Sequence, residues 1–169
     1  NLDTPYTPAS TMKTLTAYAA AATLDMGSTL ETQTYLEQRE DGTSRLVLKG
    51  NGDMLLGVDE SDSAHINGRA GLGTLAANTA QALRQRGITS VTLVYDDSLF
   101  GNDRWPNGIA ELDPDHVYYA PTASMAVDGG RNWNGANPTD PDTFSTYPVL
   151  STQPAREAAL VFAQRLTER

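Results

Sequence analysis

Ser10 and Lys13, in the stretch Thr7-Pro8-Ala9-Ser10-Thr11-Met12-Lys13, place a hydroxyl and an amine three residues apart. On a helix that spacing stacks the two side chains on one face. A serine beside an amine that can take its proton is an activated nucleophile, suited to acyl transfer through a serine ester. Two conditions make the pair useful. Ser10 should sit at a helix N-terminus, where unpaired N–H groups and the positive end of the dipole favour charge on its oxygen. Lys13 should be starved of water, because desolvation disfavours the ammonium form and leaves a neutral amine near neutral pH.

The flanking residues predict both. Thr7 suits an N-cap, Pro8 the first helical position, and an Ala/Leu/Thr/Tyr run follows. From Ser10 to Leu24 the only charged residue is Lys13, and Met12, Leu15, Tyr18, Ala19 to Ala22 and Leu24 leave the helix apolar nearly all round. Such a helix is normally buried. The competing reading is plain: among ten serines an S-x-x-K arises by chance, and a first-turn lysine commonly reaches into water.

Further along, Thr29 to Gln38 alternates as a half-buried strand, Asp41-Gly42 signals a hairpin, and Ser44 to Lys49 returns as a second strand. A glycine-rich stretch, Gly50 to Gly57, and an acidic polar loop, Asp59 to Gly68, follow. Leu72 to Gln85 has a helical apolar face with Gly87 as its C-terminal stop, and Ile88 to Tyr95 is the strongest strand pattern in the chain. From Asp96 to about Tyr147 prolines, glycines and asparagines predict an irregular region, with short strands near Val117 to Ala120 and Ser124 to Val127. Pro154 to Thr167 closes the chain as a helix. The fold class expected is α/β of the α+β kind.

Composition narrows the partners. At 169 residues and 39% hydrophobic, with fourteen glycines and nine prolines, the chain can bury one good core, or form one domain plus an appendage, the second being the better match. No apolar run reaches the about 20 residues of a membrane-spanning helix. A net charge of −9 argues against nucleic acid, whose phosphates need clustered Lys and Arg. With zero cysteines there is neither a disulfide nor a thiolate metal site.

Several stretches together resemble one family. Pro8 to Lys13 with Leu15-Thr16-Ala17-Tyr18-Ala19-Ala20 is similar to the active-site helix of the low-molecular-mass penicillin-binding proteins that act as D-alanyl-D-alanine carboxypeptidases/endopeptidases, peptidase family S13. Leu48 to Leu56 resembles that family's Gly-x-Gly-Asp-Pro-x-Leu stretch, with Met54 where proline is usual. Arg86-Gly87-Ile88 with Leu93 to Phe100 resembles its helix end, strand and Asp-x-Ser-x-Phe turn, and Tyr119 to Val127 its Ala-Pro-x-Ser-Ala-Leu segment.

The resemblance implies Ser10 as nucleophile and Lys13 as general base, with no cofactor. It also implies peptidoglycan stem peptides as substrate, β-lactams as inhibitors and an extracytoplasmic location, in the periplasm or cell-wall space. Enzymes of this kind carry S-x-x-K, Ser-x-Asn and Lys-Thr-Gly; here no serine has asparagine two residues on, and neither Lys13 nor Lys49 precedes Thr-Gly or Ser-Gly. The expected object is therefore an N-terminal fragment. Residues 1–27 would be a fragment of a transpeptidase-like domain and 28–169 an incomplete inserted α/β domain, the fragment as a whole being inactive alone. The rival expectations are a non-catalytic envelope module and, less well matched after the first helix, a stand-alone β-lactamase.

Other chemistry-bearing residues have duller readings. Gly71-Leu72-Gly73-Thr74-Leu75-Ala76, with Asp96 downstream, matches a dinucleotide fingerprint formally but lacks a strand running into the glycines. His65 and His116 read as surface loop residues. The clusters Asp59-Glu60-Asp62, Asp113-Asp115 and Asn137-Asp140-Asp142 lack calcium-loop spacing. Asp53, Asp96 and Asp97 read as turn carboxylates. Trp105 and Trp133 read as loop anchors ahead of sugar- or peptide-stacking platforms.

Overall fold

A computed structural model describes residues 3–65, 69–131 and 149–169. Trp133 and the Asn137-Asp140-Asp142 cluster lie outside the described residues, as do residues 66–68 at the end of the acidic loop.

A 3-10 turn, Ala9–Thr11, runs straight into α1, Met12–Thr23. β1, Gln33–Gln38, and β2, Ser44–Lys49, form an antiparallel hairpin in which Gln38 opposes Ser44. Gly42 takes φ +80° at its tip, which explains the Asp-Gly signal. β1 begins four residues later than its alternation suggests. Its first pair is Gln33 with Lys49, and β2 stops there because Gly50 turns away to pass against Ser124. Without a partner strand, Thr29 to Thr32 have no ladder to join.

β3, Asp53–Leu56, forms within the glycine-rich stretch Gly50 to Gly57, where no strand was expected. α2, Leu72–Gln85, then crosses over to β4, Thr92–Asp96, which lies parallel to β2 with Leu46 opposite Leu93. The Ile88 N–H bonds Leu83 O and the Gly87 N–H bonds Arg84 O, so α2 ends in a Schellman motif with Gly87 at φ +69°. A short α3, Ile109–Leu112, interrupts the irregular region. β5, Met125–Val127, pairs parallel with β3 and leads into a tight turn, Asp128–Gly130. α4, Pro154–Thr167, ends the described chain.

The strand expected at Val117 to Ala120 does not form. The buried carboxylate of Asp113 takes the N–H groups of Val117, Tyr118 and Tyr119 at 2.8, 2.9 and 3.0 Å, which removes the donors a ladder would need. This also places Asp113 inside the structure rather than in a solvated cluster.

The core joins one face of β2 (Leu46, Leu48) to Leu56 of β3, Met125 and Val127 of β5, Leu72 and Ala76 of α2, and Ala155, Ala158 and Phe162 of α4. α2 and α4 pack together over it. α1 contributes nothing: it buries none of its residues.

Candidate active site

Ser10 sits in the middle of the 3-10 turn, and Lys13 is the second residue of α1. In a 3-10 turn residues i and i+3 eclipse, so the change from 3-10 to α between Thr11 and Met12 keeps hydroxyl and amine one turn apart. Thr7 is not the cap. Pro8 occupies that place without a side-chain cap, and both the N–H and the hydroxyl of Thr11 donate to Pro8 O. Ala9, directly before the serine, takes φ +45°, a conformation that costs an L-residue with a Cβ.

The expectation of a buried helix is overturned. Met12, Leu15, Tyr18 and Leu24 are 48, 61, 75 and 65 % exposed, and Ser10 and Lys13 are exposed as well. Among the described residues α2 and α4 cover the core, and no residue of α1 belongs to it. Among the described residues neither the Ser10 nor the Lys13 side chain forms a hydrogen bond or an ion pair. The spacing is present; the dry surroundings are not.

Three of the sequence stretches that looked family-like meet at Ser124. Its carbonyl accepts the Gly52 N–H at 2.6 Å, its N–H donates to Asp97 Oδ1 at 2.7 Å, and its hydroxyl donates to Asp96 O at 3.1 Å. A Cβ on Gly50 would fall 2.3 Å from Ser124 O, so that position excludes every other residue. Asp96 and Asp97 act as the turn carboxylates expected. Asp96 Oδ1 accepts from the Ser98 N–H and hydroxyl, which hold its carboxyl below the ordinary 3.8. Asp97 is paired with Arg104, a residue that no sequence pattern marks out. Asp53 bonds the Leu55 N–H at 2.8 Å, yet burial outweighs that bond and raises its carboxyl above 3.8. These residues form a structural joint rather than a reacting site.

The dinucleotide reading fails on geometry. At the start of α2 the Gly73 and Thr74 N–H groups donate to Asp59 O, and a Cβ on Gly71 would lie 2.3 Å from that same oxygen. The glycines admit the chain's own backbone where a pyrophosphate would have to sit. Asp59 itself pairs with the buried Arg165 at 2.9 Å. His65 and His116 are half-buried rather than on the surface, and His116 packs on Trp105. Among the described residues no group of three or more His, Asp or Glu side chains is placed to hold a metal ion, and no helix is long and apolar enough to cross a membrane.

A cavity of about 400 Å³ between Gly52, Met54, Phe100, Ala123 and Pro154 has no lining residue from the 3-10 turn or α1. It is therefore not a cleft around Ser10.

The chain is of mixed α/β class, and its S-x-x-K turn and helix stand apart from the packed core. The sequence model of the D-Ala-D-Ala carboxypeptidase 3 (S13) family matches residues 1–162, and the chain belongs to that family. It is 31% identical over 130 residues to carboxypeptidase Rv3627c of Mycobacterium tuberculosis, covering 76% of this chain and 27% of that protein. It is 32% identical over 161 residues to carboxypeptidase DacB of Mycolicibacterium smegmatis, covering 92% of this chain and 32% of that protein. The chain thus spans a third or less of the length of these curated relatives. No solved structure matches.

Proposed function

We propose that this chain is the nucleophile-bearing part of a serine-type D-Ala-D-Ala carboxypeptidase/endopeptidase that acts on peptidoglycan stem peptides outside the cytoplasm. The observation that carries the reading is Ser10 and Lys13 one turn apart at the head of α1, in a chain of the S13 family. Ser10 Oγ attacks the carbonyl of the penultimate D-Ala while Lys13 Nζ takes its proton. The terminal D-Ala leaves with a proton, and water then cleaves the serine ester. The Ser10 backbone N–H supplies one donor to the oxyanion. β-Lactams acylate the same oxygen.

Residues 1–27 are assigned to the transpeptidase-like domain and residues 28–169 to the inserted domain. Two facts support the division: α1 has no buried residue, and among the described residues the buried core cluster runs from Leu46 to Phe162, with Leu166 packed against it. The dry setting that Lys13 needs is then provided by polypeptide that packs on α1 and brings Ser-x-Asn and Lys-Thr-Gly, neither of which this sequence contains. Alone, the 169 residues are inactive, and what remains to them is the second reading, an envelope module that binds cell-wall material or a partner protein.

A fluorescent penicillin tests this. In a chain of the relatives' full length it should label Ser10, with Ser10→Ala abolishing label and Lys13→Ala slowing acylation by about 10²–10⁴; the 169-residue chain should take no stoichiometric label. Labelling of another residue, or D-Ala release by the Ser10→Ala protein, refutes the assignment.

A further inference from the structure

On the side of the β3–β5 sheet away from the core lies the apolar cavity of about 400 Å³, which has no part in the chemistry assigned to Ser10. Strand alternation and an irregular pairing create it. Met125 and Val127 point into the core, so Ala126 between them faces the other way, into the cavity. β3 runs three steps, Asp53 to Leu56, against two of β5, Met125 to Val127, and this bulge turns Met54 outward while Leu56 stays in the core. Ala126 and Gly130 leave the floor open, and Met54, Phe100, Pro121 and Pro154 stand around it.

Among the described residues no charged side chain lines this cavity. Met54, Phe100 and Tyr118 on its lining are 57, 46 and 72 % exposed. Large apolar side chains left in water around an apolar hole mark a polypeptide contact, in which an anchor side chain fills the hole and the surrounding groups exclude water. The uncharged lining selects the anchor: an ion buried there would have no partner, so the segment that enters is apolar and uncharged.

Position selects the partner. The connector from α1 to β1 passes the cavity mouth, where the Asn51 side-chain amide donates to Glu31 O at 2.8 Å. Leu30 and Phe100 flank Gly52, at 3.6 and 3.8 Å from where a Cβ on that glycine would stand. Leu30 is itself exposed, as are Leu24 and Met26 before it and Met12, Leu15 and Tyr18 of α1. Exposed apolar side chains therefore recur along the chain from α1 to the cavity. The curated relatives extend well beyond the stretch matched here, which is 27% and 32% of their lengths.

From this we infer that the cavity receives an uncharged apolar segment of the same polypeptide that packs on α1 in a chain of the relatives' full length. The contact clamps the nucleophile-bearing helix and the β3–β5 sheet to one partner; it does no chemistry. Only the identity of the partner rests on the function proposed above.

Methionine oxidation tests the docking, because the four methionines report on different places. Met54 lies at the cavity, Met12 in α1 and Met26 in the connector, all exposed, whereas Met125 is fully buried behind the sheet. Under dilute peroxide, with sulfoxide read at each residue by mass spectrometry, Met54 and Met26 of the 169-residue chain should oxidise readily and Met125 should resist. In a chain of the relatives' full length Met54 should slow by about tenfold or more, the scale of an anchor seated in its pocket. Two variants of that longer chain should restore the fast rate. Ala126→Leu fills the cavity from its floor, and Phe100→Glu sets a charge at its edge and decides the question if Ala126→Leu does not fold. Equal oxidation of Met54 at both lengths, protection already present in the 169-residue chain through another part of it or a second copy, or protection that survives Phe100→Glu overturns the inference. Penicillin acylation of Ser10 is read separately. Acylation with Met54 unprotected sinks the docking and leaves the nucleophile standing, whereas Met54 protected without acylation does the reverse.

Discussion

At the scale of single residues, backbone contacts rather than side-chain chemistry set the strictest requirements. Gly50 is the clearest example: an added Cβ would press on the Ser124 carbonyl at 2.3 Å, and neither backbone can move without breaking the Gly52–Ser124 bond. Gly50→Ala should therefore cost about 2–3 kcal/mol, at the upper end for overpacking, measured as a lowered urea midpoint. Gly101→Ala should cost only about 1 kcal/mol, because its φ of +65° is disfavoured but nothing lies within reach of the new methyl. Asp113 makes the residue-scale case for pH. Burial alone would raise its carboxyl, but the bonds from the Tyr118, Val117 and Tyr119 N–H groups outweigh it and hold the group below 3.8. The unfolded chain then binds the proton more readily than the folded one, so the stabilisation is complete above pH 3.8 and is lost as pH falls through the lower folded value. Asp113→Asn should lower the thermal midpoint at pH 7, with the gap to the parent chain narrowing below 3.8. A gap that stays constant down to pH 2 would contradict that origin. Asp53, with its raised carboxyl, has the opposite sign: its burial penalty appears as pH rises past 3.8.

At the scale of elements, legibility followed the periodicity of buried faces. β2, α2 and α4 match their sequence boundaries because each carries an apolar face and a local stop, such as Gly87 after α2 and Pro154 at the start of α4. Where the sequence misled, a non-local partner decided. Gly50 and Gly52 read as loop, yet their missing side chains let the chain pass Ser124 and enter β3. Val117 to Ala120 read as strand, but Asp113 takes its donors. The Ser10/Lys13 spacing was visible in the sequence; the exposure of α1 was not, because composition shows that a helix can be buried without showing what covers it. The contrast gives an element-scale prediction. Phe162→Ala in α4, fully buried in the core, should cost about 3–5 kcal/mol. Leu15→Glu in α1 should change the stability of the 169-residue chain by no more than about 0.5 kcal/mol. Chemical denaturation checks both, and a large loss from Leu15→Glu would mean that α1 packs on this chain after all.

At the scale of the whole molecule, two parts of the chain have very different support. The core around Phe162 is enclosed by two sheets and two helices, whereas α1 is twelve residues long and has no buried residue. A helix of that length is marginal in water even when rich in alanine, because its costly nucleus is repaid by few hydrogen bonds. Amide hydrogen exchange should therefore separate the two parts. In the 169-residue chain, α1 amides should exchange with little protection while those of α4 approach the global unfolding limit. In a chain of the relatives' full length, burying Leu15 and Tyr18 would add roughly 1.5–3 kcal/mol for each side chain. That is enough to slow α1 exchange by about 10² or more, at 1.4 kcal/mol for each factor of ten. The same packing would take water from Lys13, so the protection of α1 and the acylation of Ser10 should appear together. A full-length protein that acylates Ser10 while α1 still exchanges as freely as in the shorter chain would show that the amine does not need a dry helix to act as base.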